Sequence, residues 1–190
     1  MACGRLFYVI GASGSGKDSL LRYARASLRG HGRVMFAHRY ITRPPELAGE
    51  NHVSLSHEEF AARLAAGLFA MHWDSHGYRY GIGCEIDTWL AKGYNVTVNG
   101  SREYLDQAFE RYPEMLAILI DTPPTLLEAR LKARGRESAK EIAERLERAK
   151  AFASLSHPRL LRVDNSGTIE EAGERLVALL TGACAEAPCA

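Results

Sequence analysis

Nine consecutive residues, Gly11-Ala12-Ser13-Gly14-Ser15-Gly16-Lys17-Asp18-Ser19, carry the chemistry most directly legible in this chain. Glycines let a backbone take positive φ and approach a ligand closely. The N–H groups exposed by such a turn, with the helix dipole behind them, favour anionic oxygens, and Lys17 adds a full positive charge. The spacing is that of a phosphate-cradling loop. One position departs from that motif. The residue after the lysine is ordinarily Ser or Thr, whose hydroxyl binds Mg²⁺, and here it is Asp18. A carboxylate is a hard oxygen ligand that suits Mg²⁺. An acid in a first helical turn is also favourable to the dipole without any metal, and Ser19 offers a hydroxyl next door.

Two further groups are rich in cations. Arg39 and Arg43 flank Tyr40-Ile41-Thr42 beyond an apolar run, with His52 following. Two guanidinium groups there either clamp an anionic substrate or form a solvated basic loop. Arg130, Arg134, Arg136 and Arg145 surround a break at Gly135 between two helical patterns. A hinged, arginine-bearing segment would supply the positive charge and water exclusion that phosphoryl transfer needs. The alternative is a charged helix with i,i+4 pairs such as Glu141 with Arg145. The phosphate loop favours the first reading for Arg134 and Arg145. Tyr78-Arg79-Tyr80-Gly81 and Asn99-Gly100-Ser101-Arg102 are polar patches at predicted strand ends.

The elements that must position these groups alternate. Leu6-Phe7-Tyr8-Val9-Ile10 reads as a buried strand opening through the loop into a helix, which stops at Arg29-Gly30-His31-Gly32. Val34-Met35-Phe36-Ala37-His38 reads as a second strand, and 39–45 as a polar connection. Ser56 with Glu59 makes a capping box for a helix over 56–64. Two short strands follow around His76-Gly77, then a helix over 85–91, a strand over 94–98 and a helix over 102–112. A strand over 115–120 precedes a helix that opens on Pro123-Pro124. Ser138 with Glu141 and Thr168 with Glu171 cap two more helices, on either side of a last strand over 160–163. Strands alternating with helices predict an α/β fold: a parallel sheet with helices on both faces, ligands lying at the carboxyl ends of the strands. A dinucleotide-binding Rossmann domain is disfavoured, because the glycines are not spaced G-x-G-x-x-G and Ala37-His38-Arg39 offers no ribose-binding acid.

With 190 residues the chain has room for one domain and a substantial core. Its 24 basic and 23 acidic residues nearly cancel, which argues against nucleic acid or a membrane surface as partner. Nineteen of the 24 are arginine, which suits phosphate handling and equally suits a GC-rich genome. Cys3, Cys84, Cys184 and Cys189 show no metal or disulfide spacing. With the first strand predicted to begin directly after Arg5 and no apolar run of spanning length, a cytoplasmic location is expected.

Taken together, these stretches resemble the guanylate kinase-like branch of the nucleoside monophosphate kinases over about 5–180. The pattern is visible in the phosphate loop, Thr42-Arg43-x-Pro45, Gly49-Glu50, Tyr80-Gly81, and Arg134-Gly135 followed by Arg145. The resemblance implies a P-loop NTPase fold with a small acceptor-binding flap (about 39–82) and a lid (about 134–150). These belong to one kinase domain over 1–182, with a mobile tail over 183–190. Three positions depart. Met71 stands where guanylate kinases carry a guanine-reading Glu, Ile82 where they carry Ser or Thr, and Glu46 where they carry a second phosphate-binding Arg. A site lacking the groups that bond a base loses about 10⁴-fold in discrimination, so GMP is not the expected acceptor.

A narrower likeness absorbs these departures. The loop with Asp18-Ser19-Leu20-Leu21, Ala37-His38-Arg39-Tyr40-Ile41-Thr42-Arg43 and Glu50-Asn51-His52 are similar to the ribose 1,5-bisphosphate phosphokinase family. So are Tyr80-Gly81-Ile82-Gly83 with Glu85-Ile86-Asp87, and Val98-Asn99-Gly100-Ser101-Arg102. In that family Asp18 is usual, and Pro is common where Ala12 stands. The likeness implies ATP and Mg²⁺, a ribose 1,5-bisphosphate acceptor, 5-phosphoribosyl 1-diphosphate as product and a place in phosphonate catabolism. It implies catalytic roles for Lys17, Arg134 and Arg145, nucleotide binding by Gly11 to Ser19, and a metal role for Asp18. Acceptor binding falls to Arg39, Arg43, His52, Tyr80 and Arg102. The rivals are a guanylate kinase or other small-molecule P-loop kinase, and a non-catalytic interaction module of the same fold. The retained Lys17 and lid arginines speak against the module. Oligomeric state, a homodimer included, is left open.

Overall fold

The first apolar run forms β1 (Leu6–Gly11), and its side chains divide between two cores. Leu6, Tyr8 and Ile10 join one buried cluster and Phe7 and Val9 the other, as the two-residue period of a strand requires. A strand covered on both faces is apolar throughout, which is why the run shows no polar alternation. The computed structural model describes residues 4–44, 51–135 and 138–182. Pro45, Glu46, Gly49, Glu50, Arg136 and the tail over 183–190, all invoked in the sequence reading, lie outside them.

After β1 come α1 (Lys17–Ser27), β2 (Val34–Phe36), β3 (Arg39–Ile41), β4 (His52–Ser54) and α2 (His57–Ala65). The middle of the chain forms β5 (Phe69–Ser75), β6 (Tyr78–Gly83), α3 (Glu85–Ala91) and β7 (Asn95–Asn99). Next come a 3-10 turn (Arg102–Tyr104), α4 (Leu105–Arg111), β8 (Leu116–Asp121) and α5 (Pro124–Arg134). The described chain closes with α6 (Ala139–Ala153), β9 (Leu160–Asp164) and α7 (Ile169–Thr181). Among the described residues, one sheet is parallel and five-stranded, in the order β2-β7-β1-β8-β9, so β1 is central. Its strands all end on one edge, where the phosphate loop leaves β1. This is the predicted parallel α/β sheet.

One face of that sheet is covered by α1 and α7, through Leu20, Ala24, Ala172, Leu176 and Leu180. Gly173 lets the two helices close up, since a Cβ there would lie 2.3 Å from the Tyr23 ring. The other face joins a core shared with a second sheet, ordered β4-β3-β6-β5, through Met71, Trp73, Tyr80 and Ile82. Each large apolar side chain buried in this way contributes about 1.5–3 kcal/mol. Exposed ion pairs such as Arg159–Glu114 contribute about 0–1 kcal/mol. The core, not the surface charge, holds the two sheets together.

Three local expectations need correction. Arg39-Tyr40-Ile41, read as part of a polar connection, is a strand: β3 runs parallel to β4 and antiparallel to β6. Three residues are too few to show a period, although Arg39 and Ile41 are buried and Tyr40 is half-buried, as alternation demands. The helix predicted over 102–112 begins as a 3-10 turn, with the Ser101 hydroxyl accepting from Glu103 N, before α4 takes over. The capping box at Ser56 is half formed. Ser56 Oγ accepts from Glu59 N, but the Glu59 carboxylate turns to Arg63 at 2.7 Å, four residues on. The boxes at Ser138/Glu141 and Thr168/Glu171 are complete. The hairpin between β5 and β6 turns at His76-Gly77 with φ of 51° and 77°, the two positive angles a tight two-residue hairpin turn requires.

Candidate active site

At the end of β1 the chain turns through the phosphate loop, and three distant groups hold it. The Ser15 carbonyl accepts from Asn165 Nδ2 at 2.6 Å, Thr122 Oγ1 at 3.1 Å and Arg130 Nη1 at 3.3 Å. Arg130 Nη2 also donates to the Asn165 carbonyl at 3.0 Å, so the buttress is cross-linked. Gly16 caps α1 at φ 84°, and a Cβ there would lie 2.5 Å from Asn165 Nδ2. The loop therefore needs glycine at 16 both for its backbone angle and for the closeness of its support. Arg130 thus serves the loop from beneath. Thr122 and Asn165 lie more than 100 residues from Ser15, and nothing in the sequence signalled either.

A cavity of about 520 Å³ opens over the loop. Of the nine predicted nucleotide-binding residues, all but Ser15 line it. Ser15 is buried beneath, its hydroxyl without a hydrogen-bond partner among the described residues. Ser13 sits at the tip, where its hydroxyl accepts a hydrogen bond from Arg145 Nη1 of α6. Arg148 and Ala149 of the same helix line the cavity too. Arg134 ends α5, and the position of its side chain is outside the described part of the structure.

Lys17 Nζ donates to Asp18 Oδ1 at 3.0 Å and to Asn99 Oδ1, and Asn99 Nδ2 donates to Asp18 Oδ1 at 2.9 Å. Burial works against ionising Asp18. The charges of Lys17 and Arg39 and the hydrogen bonds from Lys17 and Asn99 outweigh it, bringing the carboxyl down to about 2. At neutral pH Asp18 is a carboxylate. No cluster of three or more His, Cys, Asp or Glu able to hold a metal exists among the described residues. Asp18 and Ser19 offer a carboxylate and a hydroxyl oxygen at the cavity. Mg²⁺ is ordinarily bound by one or two carboxylates plus phosphate oxygens and water, so these two oxygens fit it without a dedicated cluster.

The facing wall is cationic and aromatic. Arg39 is only 8% exposed, and its guanidinium carbon lies 5.6 Å from the centre of the Tyr80 ring. Tyr80 stacks on Trp73, with centroids 5.5 Å apart and planes within 3°. Stacking of this kind holds a guanidinium in place without consuming its hydrogen-bond donors. Arg43 lines the cavity, and its carbonyl accepts from Ser54 Oγ at 2.5 Å. Arg102 lies over the Phe152 ring at 5.4 Å. The loop carrying Arg102 is fixed by Tyr8 of β1, whose buried hydroxyl donates to Ser101 O at 3.1 Å and accepts from Ser101 N at 2.9 Å. Burial raises the Tyr8 phenol well above its ordinary pKa, against the effect of the Ser101 hydrogen bond. Gly100 is obligatory beside it, because a Cβ there would lie 2.2 Å from the Tyr8 ring.

Arg39, Arg43, Tyr80 and Arg102 are thus brought together with the phosphate loop around one cavity. His52 is not among the residues that line the cavity; it sits on β4, paired in register with Arg39. Met71 and Ile82, which the sequence reading set against guanine-reading residues, are fully buried and paired in register across the β5–β6 ladder. Neither lines the cavity. Trp73, Arg148, Phe152 and Asn99 were not predicted as site residues; only Asn99 lay in a patch the sequence had marked.

No family model matches the chain. Among curated proteins it is 60% identical over 185 residues to ribose 1,5-bisphosphate phosphokinase PhnN of Thiobacillus denitrificans, covering 96% of each chain. It is 54% identical over 176 residues to the protein of that name in Desulfomicrobium baculatum, covering 93% of this chain and 94% of that one. Among solved structures, guanylate kinase from Anaplasma phagocytophilum matches 96% of this chain and 87% of its own, with a TM-score of 0.67 and 17% identity. That likeness bears on the fold alone, and confirms it as guanylate kinase-like. With identities this high along almost the whole of both relatives, the chain belongs to the ribose 1,5-bisphosphate phosphokinase PhnN family.

Proposed function

We propose that the protein transfers the γ-phosphoryl group of ATP to ribose 1,5-bisphosphate, forming 5-phosphoribosyl 1-diphosphate and ADP. The observation that carries this reading is the pairing of a phosphate loop with a wall of Arg39, Arg43 and Arg102 across one cavity. The names of the relatives supply the acceptor. In the reaction an oxygen of the anomeric phosphate bonds to the γ-phosphorus while the bond to the ADP oxygen breaks. That oxygen is already ionised at neutral pH, so no general base is needed. Catalysis then rests on alignment and charge.

Lys17 and the loop N–H groups hold the donor phosphates, and Arg145, from its place on Ser13, reaches the same phosphates. Arg134 joins it when the segment over about 134–150 closes as a lid. Arg39, Arg43 and Arg102 hold the two acceptor phosphates, with Tyr80 and Trp73 beneath the sugar. His52 supports β3 from the neighbouring strand within a flap over about 39–82. Asp18, assisted by Ser19, would hold Mg²⁺, which would supply positive charge to neutralise the phosphates. Flap and lid belong to one kinase domain over 1–182 acting on small molecules in the cytoplasm, with neither nucleic acid nor a membrane as partner. No described helix is long and apolar enough to cross a membrane.

The deciding experiment offers ribose 1,5-bisphosphate and GMP separately, at equal ATP and Mg²⁺, and compares kcat/KM. Ribose 1,5-bisphosphate is expected to be the better acceptor, giving 5-phosphoribosyl 1-diphosphate by mass. A higher kcat/KM for GMP would make the protein a divergent guanylate kinase.

A further inference from the structure

The Asp18 carboxylate is engaged through one oxygen. Oδ1 accepts from Lys17 at 3.0 Å and from Asn99 at 2.9 Å, while no described residue hydrogen-bonds Oδ2. The side chain is 43% exposed and borders the main cavity. Asn99 approaches from the opposite side. It ends β7, level with Val9 of β1, and lines a separate cavity of about 260 Å³ together with Asp18, rather than the main one. Its amide does two things at once, donating to Asp18 through Nδ2 and accepting from Lys17 through Oδ1.

Few side chains can do both. An aspartate would accept from Lys17 but would set a second carboxylate against Asp18, with nothing to donate. A leucine of similar size would do neither. In phosphate-loop NTPases the metal is held by a loop hydroxyl together with an aspartate from elsewhere in the site. Here the acid is on the loop, and the neutral partner stands at the end of the adjacent strand.

We propose that Asn99 is a positioning residue for the metal–nucleotide complex. It ties Oδ1 of Asp18 to Lys17 and so presents Oδ2 to the divalent cation, acid and neutral partner having exchanged places relative to the common arrangement. The inference deepens the metal role given to Asp18 above and rests on it. The contact of Asn99 with Lys17 bears on the nucleotide and is read by ADP affinity without metal; its effect on the cation runs through Asp18 and must vanish when Asp18 can no longer act as a carboxylate.

The test is Mn²⁺ affinity of the ADP complex, read by electron paramagnetic resonance, in wild type, Asn99→Leu, Asp18→Asn and the double variant. Asn99→Leu is expected to weaken Mn²⁺ binding roughly 10- to 100-fold, the usual effect of removing a partner of a metal ligand. ADP affinity in EDTA should not weaken. In the Asp18→Asn background the Asn99 replacement should change nothing further. Wild-type Mn²⁺ affinity in Asn99→Leu, or the same loss in both backgrounds, overturns the proposal. If thermal melting shows Asn99→Leu to be unfolded, Asn99→Ala is read in the same way. Should Asp18→Asn alone leave Mn²⁺ affinity intact, the metal role of Asp18 fails and takes this inference with it. None of these outcomes bears on which acceptor is used.

Discussion

On the phosphate-loop side of the cavity, the support is aimed at backbone: the Ser15 carbonyl collects donors from Asn165, Thr122 and Arg130. On the facing side the support is aimed at side chains: Arg39 lies over Tyr80, Tyr80 stacks on Trp73, and Arg102 lies over Phe152. The first wall is made of main-chain groups, held in place by three side chains that converge on one carbonyl. The second presents guanidinium groups whose placement depends on particular aromatic rings. A loop that binds the phosphates shared by all nucleoside triphosphates can be built the first way. A surface that must tell one acceptor from another has to be built from side chains, and Met71 and Ile82 beside it are fully buried and offer no polar group.

The comparison predicts which changes are felt on which side. The largest effect belongs to Lys17→Ala. Losing a charge aimed at the transferring group should lower kcat by at least about 10²-fold while the melting temperature holds. A folded Lys17→Ala protein with near-normal turnover would break the assignment of the first wall to the donor. Next is Arg39→Ala. One charge-assisted contact is worth about 1.5–3 kcal/mol, so kcat/KM for ribose 1,5-bisphosphate should fall roughly 10- to 150-fold with little change in KM for ATP. A rise in KM for ATP of the same size would mean that the two walls do not divide the substrates. The smallest is Asn165→Ala, which removes the shortest of the loop's supports and should cost about 1–3 kcal/mol in chemical denaturation. KM for ATP should rise and KM for the acceptor should stay put; the reverse pattern would blur the distinction.

The same division explains what could be read from the residues in order. The phosphate loop was legible because strand, glycines, lysine and helix start are contiguous, and so were the complete capping boxes, which span four residues. Arg39, Arg43, Tyr80 and Arg102 were legible as candidates by type, but nothing local showed that Trp73 would back Tyr80 or Phe152 lie under Arg102. The grip on Ser15 joins residues 107, 115 and 150 positions apart, and contacts at that range leave no period to detect. The second sheet was missed for a different reason. β3 and β4 have three residues each, and their partners lie across an intervening segment. His52 shows the limit of reading by residue type, since a polar side chain beside Arg39 in register still lies off the cavity.

Tyr8 belongs to neither wall and touches the foundations of both. It stands in β1, three residues before the phosphate loop begins, and its hydroxyl holds both the N–H and the carbonyl of Ser101 next to Arg102. Donor and acceptor machinery are thus gauged from one strand, as two jaws are set by one frame. The dependence runs one way: position 100 can carry no side chain while the Tyr8 ring stands there. Anyone seeking to give this scaffold a new acceptor has a corresponding freedom, for the rings and arginines can be exchanged as long as that tyrosine keeps its glycine.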